Sequence, residues 1–340
     1  MAHKMINPAD RAMFGGSHGL LARAYYHIKP FLPSGLRWAL RRSRIPGILM
    51  RHDGSWPIDE SASGMPGDWN GWPDGKRFAF VLTHDVESAE GVSKVRDLAG
   101  LEMSHGFRSS YNFIPEGSYI DPVEIRDWLG SNGFEVGVHD LCHDGHLYES
   151  RESFSRNAKS INRYLRDWQA VGFRSGFMLR QLEWLHDLDV LYDASTFDTD
   201  PFEPQPDGAR TIFPFHVRPN AGVGGGGYVE LPYTLPQDST LFLLLREKTT
   251  DIWKRKLEWI ALNGGMALVN IHPDYVDFSG RHHSNSCYPS VLLDDFMKHV
   301  HSNYQGEFWN PLARDLAAWY QGHATGCVNG AKDRNGIASA

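Results

Sequence analysis

The chain has 340 residues, of which 41% are hydrophobic and 12% aromatic, so it can build one large core or two smaller ones. Its three cysteines are widely spaced and do not suggest a disulfide framework, which agrees with a reducing compartment. No stretch approaches the roughly 20 apolar residues that span a bilayer, and no cleavable signal pattern opens the chain. We therefore expect a soluble, cytoplasmic globular protein.

The net charge of -7 is unevenly distributed along the chain. Residues 1–51 contain nine basic residues and one acidic residue, whereas the rest has 25 basic and 40 acidic residues. The acidic main part argues against a nucleic-acid partner. We expect residues 1–50 to form a basic helical extension. In its segment "KPFLPSGLRWALRRSR", apolar and basic residues alternate, so it could lie on an anionic membrane surface or pack against the acidic domain.

From residue 51 to residue 77 the composition shifts to Gly, Pro, Asp, Ser and Trp without any period, which predicts an irregular connection. Strands and helices then alternate. The predicted strands are 78–83, 108–114, 134–139, 171–174, 190–194, 211–215, 228–233 and 266–271. The predicted helices are 88–103, 121–131, 151–168, 181–187, 249–262 and 288–302. This alternation predicts an α/β fold, a distorted (β/α) barrel of about seven strands over residues 78–320, with a flexible tail at 321–340.

The first group of polar residues is in "VLTHDVESAEG", residues 81–91, where a buried strand ends in His84, Asp85 and Glu87. Two carboxylates at the end of a core strand are costly unless a cation lies between them. Residues two apart on an extended chain point the same way, so Asp85 and Glu87 are predicted to face one opening.

The second group is in "FEVGVHDLCHDGHLY", residues 134–148, where a strand runs into His139 and, four residues later, His143. If a helical turn follows the strand, this spacing places both imidazoles on one side, where they could bind one divalent cation. Such a turn would direct Cys142 elsewhere, as a buried structural thiol. Chance histidine pairs are expected among 17 histidines, as at His299 and His301.

The third group comes from three further strand ends. In "MALVNIHPDY" the strand ends in His272, a candidate for protonating a leaving group because its ordinary pKa of ~6.5 is near neutral. A strand-terminal histidine held by loop backbone is the alternative. Arg174 and Asp193 end two other strands, and they could orient the catalytic aspartate and histidine or simply form an ion pair.

The order of these residues resembles the polysaccharide deacetylases of the NodB-homology type, carbohydrate esterase family four, across roughly residues 76–320. The resemblance implies a single divalent metal, zinc or alternatively cobalt, nickel or manganese, and hydrolysis of an N-acyl group on a glycan. Thr83-His84-Asp85-Val86-Glu87 departs from the usual Thr-Phe-Asp-Asp motif by separating the acids. Asp193 and Ser195 fit the fourth motif without its usual aromatic residue. Arg174-Ser175-Gly176 keeps only the arginine of Arg-x-Pro.

On this resemblance, Glu87, His139 and His143 are the metal ligands, with Asp85 as an alternative ligand, and Asp85 is the general base. His272 is the general acid, with Arg174 orienting Asp85 and Asp193 supporting His272. Two alternatives remain: a metal-dependent amidohydrolase of a small cyclic amide, and an inactive glycan-binding relative. The expected location and the basic N-terminus together suggest a glycan precursor inside the cell, soluble or lipid-linked.

Overall fold

The computed structural model describes residues 41–67, 69–219, 226–280, 284 and 286–332, with side chains described up to residue 323. The chain divides into two compact units, Met1–Gly47 and Ile48–Ala340. Most of the predicted basic extension, including residues 29–40, lies outside the described residues. Among the described residues, no helix has both the length and the apolar character needed to cross a membrane.

One sheet of mostly parallel strands organises the larger unit. In the described residues its strands are β1 (Phe78–Val86), β2 (Ser110–Phe113), β3 (Glu135–His139), β4 (Gly172–Arg174), β5 (Tyr192–Asp193), β6 (Phe215–Val217), β7 (Tyr228–Glu230), β8 (Met266–Ile271) and β11 (Phe308–Trp309), while β9 (Val276–Asp277) and β10 (Tyr288–Pro289) form a separate pair.

Seven of these strands follow one another in parallel as β8-β1-β2-β3-β4-β5-β7, and β6 adds an antiparallel edge. The segment after β7 returns to β8, where Thr234 and Leu235 donate backbone hydrogen bonds of 3.0 Å to the Leu268 carbonyl. This contact closes the sheet, and the predicted distorted (β/α) barrel of about seven strands is confirmed.

Helices alternate with the strands along the chain. In the described residues these are α1 (Ile45–Arg51), α2 (Ala89–Ser104), α3 (Val123–Ser131), α4 (Arg151–Asp167), α5 (Asp251–Leu262), α6 (Val291–Tyr304) and α7 (Ala313–Lys332). Ser88 and Ser150 cap α2 and α4 by accepting backbone N–H groups, as serine commonly does at helix starts. Five predicted helices begin and end within three residues of these bounds.

Several described elements differ from the prediction, and among them are the short strands β9, β10 and β11, which were not predicted. The predicted helix at 181–187 is only a 3-10 turn, Trp184–Asp187. The apolar run at 211–215 is mostly a buried loop, because the Ile212 backbone bonds to Ala62 and Met266 instead of extending a strand. Helix α7 was not predicted and crosses the expected boundary at residue 320.

Successive side chains of β1 point alternately into the barrel, toward an inner core, and away from it, toward an outer core. Ala79 and Val81 face the barrel interior, in a cluster that also contains Leu268 and, from α7, Leu316. Thr83, Asp85 and Glu87 continue this inward series at the carboxyl end of the strand. The fold therefore places the polar residues of β1 directly above an apolar core.

Candidate active site

Glu87 meets three imidazoles at the carboxyl ends of the strands. Its Oε1 lies 3.2 Å from His143 Nε2, 4.0 Å from His139 Nε2 and 3.8 Å from His272 Nε2. Burial opposes ionisation of Glu87, but the neighbouring imidazoles hold the pKa of its carboxyl well below the ordinary value. The predicted residues from β1, β3 and β8 are thus brought together.

The donor atoms of Glu87, His139 and His143 fit a divalent metal. One ligand atom from each lies within 4.8 Å of the others. His139 Nδ1 is 3.1 Å from the Arg174 carbonyl, so it carries the proton and leaves Nε2 as a lone-pair donor. Among the described residues, neither the His139 nor the His143 Nε2 has a hydrogen-bond partner, although both are buried. Two such nitrogens facing a carboxylate are what zinc binds.

The histidine pair is not on a helical turn, so that part of the prediction is wrong. The chain leaves β3 through Asp140 and reaches His143 with φ angles of 57° and 54° at these residues. Asp140 fixes the bend, since its carboxylate accepts the backbone N–H groups of Leu141 and Gly176. A loop therefore presents both imidazoles. It also leaves Cys142 exposed, so the predicted burial of this thiol is wrong.

Gly176 allows His143 to approach the site. A Cβ at this position would collide with the Asp140 carboxylate and would lie 2.8 Å from the His143 ring. The His143 ring also packs on Phe177, with a centroid distance of 4.3 Å. The glycine that departs from the family's Arg-x-Pro pattern is thus required by the packing of a candidate metal ligand.

Asp85 is held as a carboxylate by donors from three other strands. Its Oδ1 accepts from Asn112 at 3.0 Å and from Arg174 at 3.3 Å, and its Oδ2 accepts from Asn270 at 2.7 Å. Burial would raise the pKa of Asp85, but Arg174, followed by His139 and His272, lowers it well below the ordinary value. The ligand atoms that could hold one ion come from Glu87, His139 and His143 and not from Asp85, so the geometry favours Glu87 over Asp85 as the ligand.

His272 is supported by Asp238, not by Asp193. Asp238 Oδ1 lies 2.7 Å from His272 Nδ1, and Asp238 Oδ2 accepts the His272 backbone N–H at 2.9 Å. Burial opposes the charged imidazole, but Asp238, Glu87 and Asp85 raise the pKa of His272 to about 10. The role predicted for Asp193 is corrected accordingly.

Asp193 instead belongs to a buried network below the site. Its carboxylate accepts from the hydroxyl and the backbone N–H of Ser195, at 2.7 and 3.1 Å. It neighbours Glu230 on the adjacent strand. Burial raises the pKa of both acids, and that of Glu230 lies well above the ordinary value. A direct Arg174–Asp193 ion pair is absent from the contacts of the described residues, since Arg174 bonds to Asp85.

His84 faces away from the site, toward α2. Its Nε2 lies 2.7 Å from Glu102 and 3.1 Å from Ser109, and Glu102 also accepts from the Tyr111 hydroxyl at 3.1 Å. His84 and Glu102 are fully buried. Its role is therefore to connect β1 to α2 within the outer core.

Sequence reasoning missed four residues of the site: Asn112, Asn270, Asp238 and Tyr275. Asn270 lies two residues before His272 on β8, so strand alternation would have placed it beside the histidine. Asn112 lies on β2 opposite Asp85. Asp238 carries no comparable signal, because it reaches His272 from an irregular segment after β7.

No family model matches this chain, and no curated protein matches it. Its fold is shared with a crystal structure from Mycobacterium smegmatis described as a "putative polysaccharide deacetylase", with TM-score 0.60 and 17% identity over 76% of this chain and 96% of that one.

Two further solved structures are more distant. Peptidoglycan deacetylase PdaC from Bacillus subtilis has TM-score 0.44 and 11% identity, over 78% of this chain and 100% of that chain. BA3943 from Bacillus anthracis, a CE4 family pseudoenzyme, has TM-score 0.43 and 12% identity, over 73% and 67%. Identities this low concern the fold alone. The resemblance found in the sequence is confirmed as a fold, and function must be argued from the site.

Proposed function

We propose that this protein is a metal-dependent hydrolase that removes an N-acyl group, most simply N-acetyl, from an amino sugar of a polysaccharide or glycan precursor. The observation that carries the proposal is the pair of buried imidazole nitrogens of His139 and His143. Within the described residues they make no hydrogen bond, and they face Glu87 Oε1 at 4.0 and 3.2 Å. Asp85 and His272 flank this cluster. The M. smegmatis protein that shares this fold is described as a "putative polysaccharide deacetylase", and we take the substrate class of the proposal from that description.

Glu87, His139 and His143 would hold the metal. When bound, a divalent ion supplies a Lewis acid that polarises the acyl carbonyl and lowers the pKa of water. Asp85 accepts the proton that water loses as its oxygen bonds to the acyl carbon. Arg174 keeps Asp85 ionised for this role, because its guanidinium lowers the pKa of that carboxyl.

His272 completes the proton balance. As the C–N bond breaks, the departing amine nitrogen needs a proton, and His272 Nε2 faces the Glu87 side of the site. Asp238 holds the opposite nitrogen at 2.7 Å, which fixes the ring and favours its charged form. The acyl product leaves as a carboxylic acid, which ionises in water, and the other product is a free amine. At this point Asp85 holds one additional proton and His272 one fewer, and proton exchange with solvent restores both side chains.

The first experiment is metal analysis of the purified wild type and of a His139→Ala, His143→Ala double variant. We expect about one equivalent of metal in the wild type and none in the variant. A His299→Ala, His301→Ala variant is the matched control, because it removes two imidazoles from α6 outside the cluster. Wild type without metal, even after incubation with zinc, cobalt, nickel or manganese, would contradict the proposal.

The second experiment measures acetate released from N-acetylglucosamine oligomers by the metal-loaded protein. We expect release, and its loss in Asp85→Asn, which keeps the shape but removes the base. Turnover of a cyclic amide instead would favour the amidohydrolase alternative. Oligomer binding without turnover would favour an inactive glycan-binding relative.

The cytoplasmic location and a contact of the basic N-terminus with the inner face of a membrane stay predictions. The membrane contact is motivated by the basic and apolar residues of segment 29–44. Sedimentation with anionic liposomes tests the contact. Protein that remains wholly in the supernatant would exclude it.

A further inference from the structure

The two carboxylate oxygens of Glu87 have different partners. Oε1 faces His139, His143 and His272, at 3.2 to 4.0 Å. Oε2 accepts a hydrogen bond of 3.0 Å from the Tyr275 hydroxyl. The phenol O–H is the donor of this contact, and the carboxylate oxygen is the acceptor. Thus one carboxylate oxygen of Glu87 contacts the imidazoles and the other accepts the hydrogen bond of the tyrosine.

A single turn after β8 holds both ends of Glu87. This turn, Pro273–Tyr275, places the Asp274 carboxylate 3.0 Å from the Glu87 backbone N–H, and the Ser88 hydroxyl also donates to Asp274. Gly91 makes room for the turn, because a Cβ there would collide with the Asp274 carboxylate. The Tyr275 ring packs on His272, with a centroid distance of 5.0 Å.

We propose that Tyr275 is a positioning residue for Glu87, the candidate metal carboxylate, because its hydroxyl occupies Glu87 Oε2 and would leave Oε1 as the oxygen available to a bound ion. The proposal rests on the metal site of the proposed function. A carboxylate can bind a cation through one oxygen or both. Because one oxygen is occupied, the carboxylate would bind an ion through the other oxygen alone. This would leave more coordination positions of the ion for water and substrate. Partners that orient a ligand in this way typically change metal affinity by 10–100-fold.

The experiment uses the full chain, stripped of metal with a chelator and titrated with zinc against a chromophoric competitor. Tyr275→Phe keeps the ring and removes only the hydroxyl. We expect its Kd for zinc to rise by roughly 10–100-fold. With cobalt in place of zinc, we expect weaker visible absorption bands, because band intensity falls as the coordination number rises.

Tyr192→Phe is the matched control. Tyr192 also donates to a buried glutamate, Glu135, at 2.9 Å, but at the opposite end of the barrel. We expect this variant to keep the wild-type zinc Kd and cobalt spectrum. If it shifts them as much as Tyr275→Phe does, the effect is general destabilisation and the proposal is wrong.

A double-mutant cycle tests whether Tyr275 acts through Glu87. In a Glu87→Ala background, Tyr275→Phe should leave the residual zinc affinity unchanged, because its partner is gone. An undiminished effect in that background, or no effect in the wild type, would overturn the proposal. Neither measurement uses acetate release, so a protein without deacetylase activity would still give a clear result.

Discussion

Two glutamates, each bonded to a tyrosine, lie at opposite ends of the barrel: Glu135 is buried, and Glu87 is partly buried. Glu135 begins β3 at the amino end. Its oxygens accept from Ser110 at 2.5 Å, Tyr192 at 2.9 Å and the Arg314 backbone N–H at 3.0 Å. Despite these donors, burial raises the pKa of its carboxyl.

Glu87 follows β1 at the carboxyl end and differs in one respect. Tyr275 satisfies one of its oxygens, but the other faces imidazoles of which two have no hydrogen-bond partner in the described part of the chain. Its pKa is lowered. A tyrosine partner is thus common to both glutamates, although Glu135 is buried and Glu87 only partly so. A candidate metal site differs from a structural contact in that its imidazole nitrogens keep lone pairs that no hydrogen bond uses.

The largest expected effect on stability comes from removing the buried cation at the carboxyl end of the barrel strands. Arg174 is fully buried and donates to Thr83, Asp85 and Asn270. Replacing it by Met leaves a buried carboxylate without its cation, so we expect a loss of about 3–5 kcal/mol in the free energy of unfolding. Urea unfolding measures this loss.

The control for that variant is Arg166→Met. Arg166 pairs with Asp189 at 3.3 Å on the surface, where both side chains are more than 60% exposed. We expect a change within about 1 kcal/mol. Equal losses in the two variants would mean that Arg174 is no more important than a surface charge.

A smaller effect is expected at two glycines of α2. Gly91→Ala should cost about 1–3 kcal/mol, because its Cβ would collide with Asp274 beside Glu87. A Cβ at Gly100 would meet no heavy atom within 4 Å, so Gly100→Ala should stabilise the helix by roughly 0.5–1 kcal/mol. Thermal unfolding of both variants measures the difference. Opposite signs are the expected result, and stabilisation by both would show that Asp274 moves aside freely.

The smallest expected effect concerns pH in the metal-free protein, where Glu87 and Glu135 should act with opposite sign. The pKa of Glu135 is raised above 4.5, so its stabilising contribution is complete below pH 4.5 and is lost as the pH rises through the folded-state pKa. The pKa of Glu87 is lowered, so its contribution is present above pH 4.5 and is lost as the pH falls through the folded-state pKa. Each slope is limited to about 1.4 kcal/mol per pH unit.

Urea unfolding in EDTA across pH, for Glu87→Gln and Glu135→Gln against wild type, checks these signs. The free energy of unfolding of Glu135→Gln should increase relative to that of the wild type as the pH rises. The free energy of unfolding of Glu87→Gln should increase relative to that of the wild type as the pH falls below 4.5. Slopes of the same sign would show that the two glutamates have equivalent environments.

Much of the fold could be predicted from sequence because its strands and helices obey local rules. The apolar run before Thr83 gives β1, and Ser88 and Ser150 cap helices at the expected places. The segment 211–215 shows the limit of such rules. A buried apolar run has the same composition in a strand and in a loop, and only its backbone partners distinguish the two.

The candidate site was predictable to a lesser degree. Strand ends carrying Asp85, Glu87 and His272 are visible in sequence because period-two alternation gives their direction. The approach of His143 depends on positive φ angles and on Gly176 in a neighbouring strand's loop. Asp238 is 34 residues from His272, so no local pattern could pair them.

The sequence by itself determined the alternation of strands and helices, the barrel class and the strand ends that bear polar residues, because these follow from apolar periodicity and capping. Only the tertiary structure decided which polar groups satisfy one another. Three contacts between distant segments show this: Asp238, and not Asp193, contacts His272, Tyr275 contacts Glu87, and Glu102 contacts His84. Their selection depends on how the barrel closes, and a linear pattern does not encode that closure.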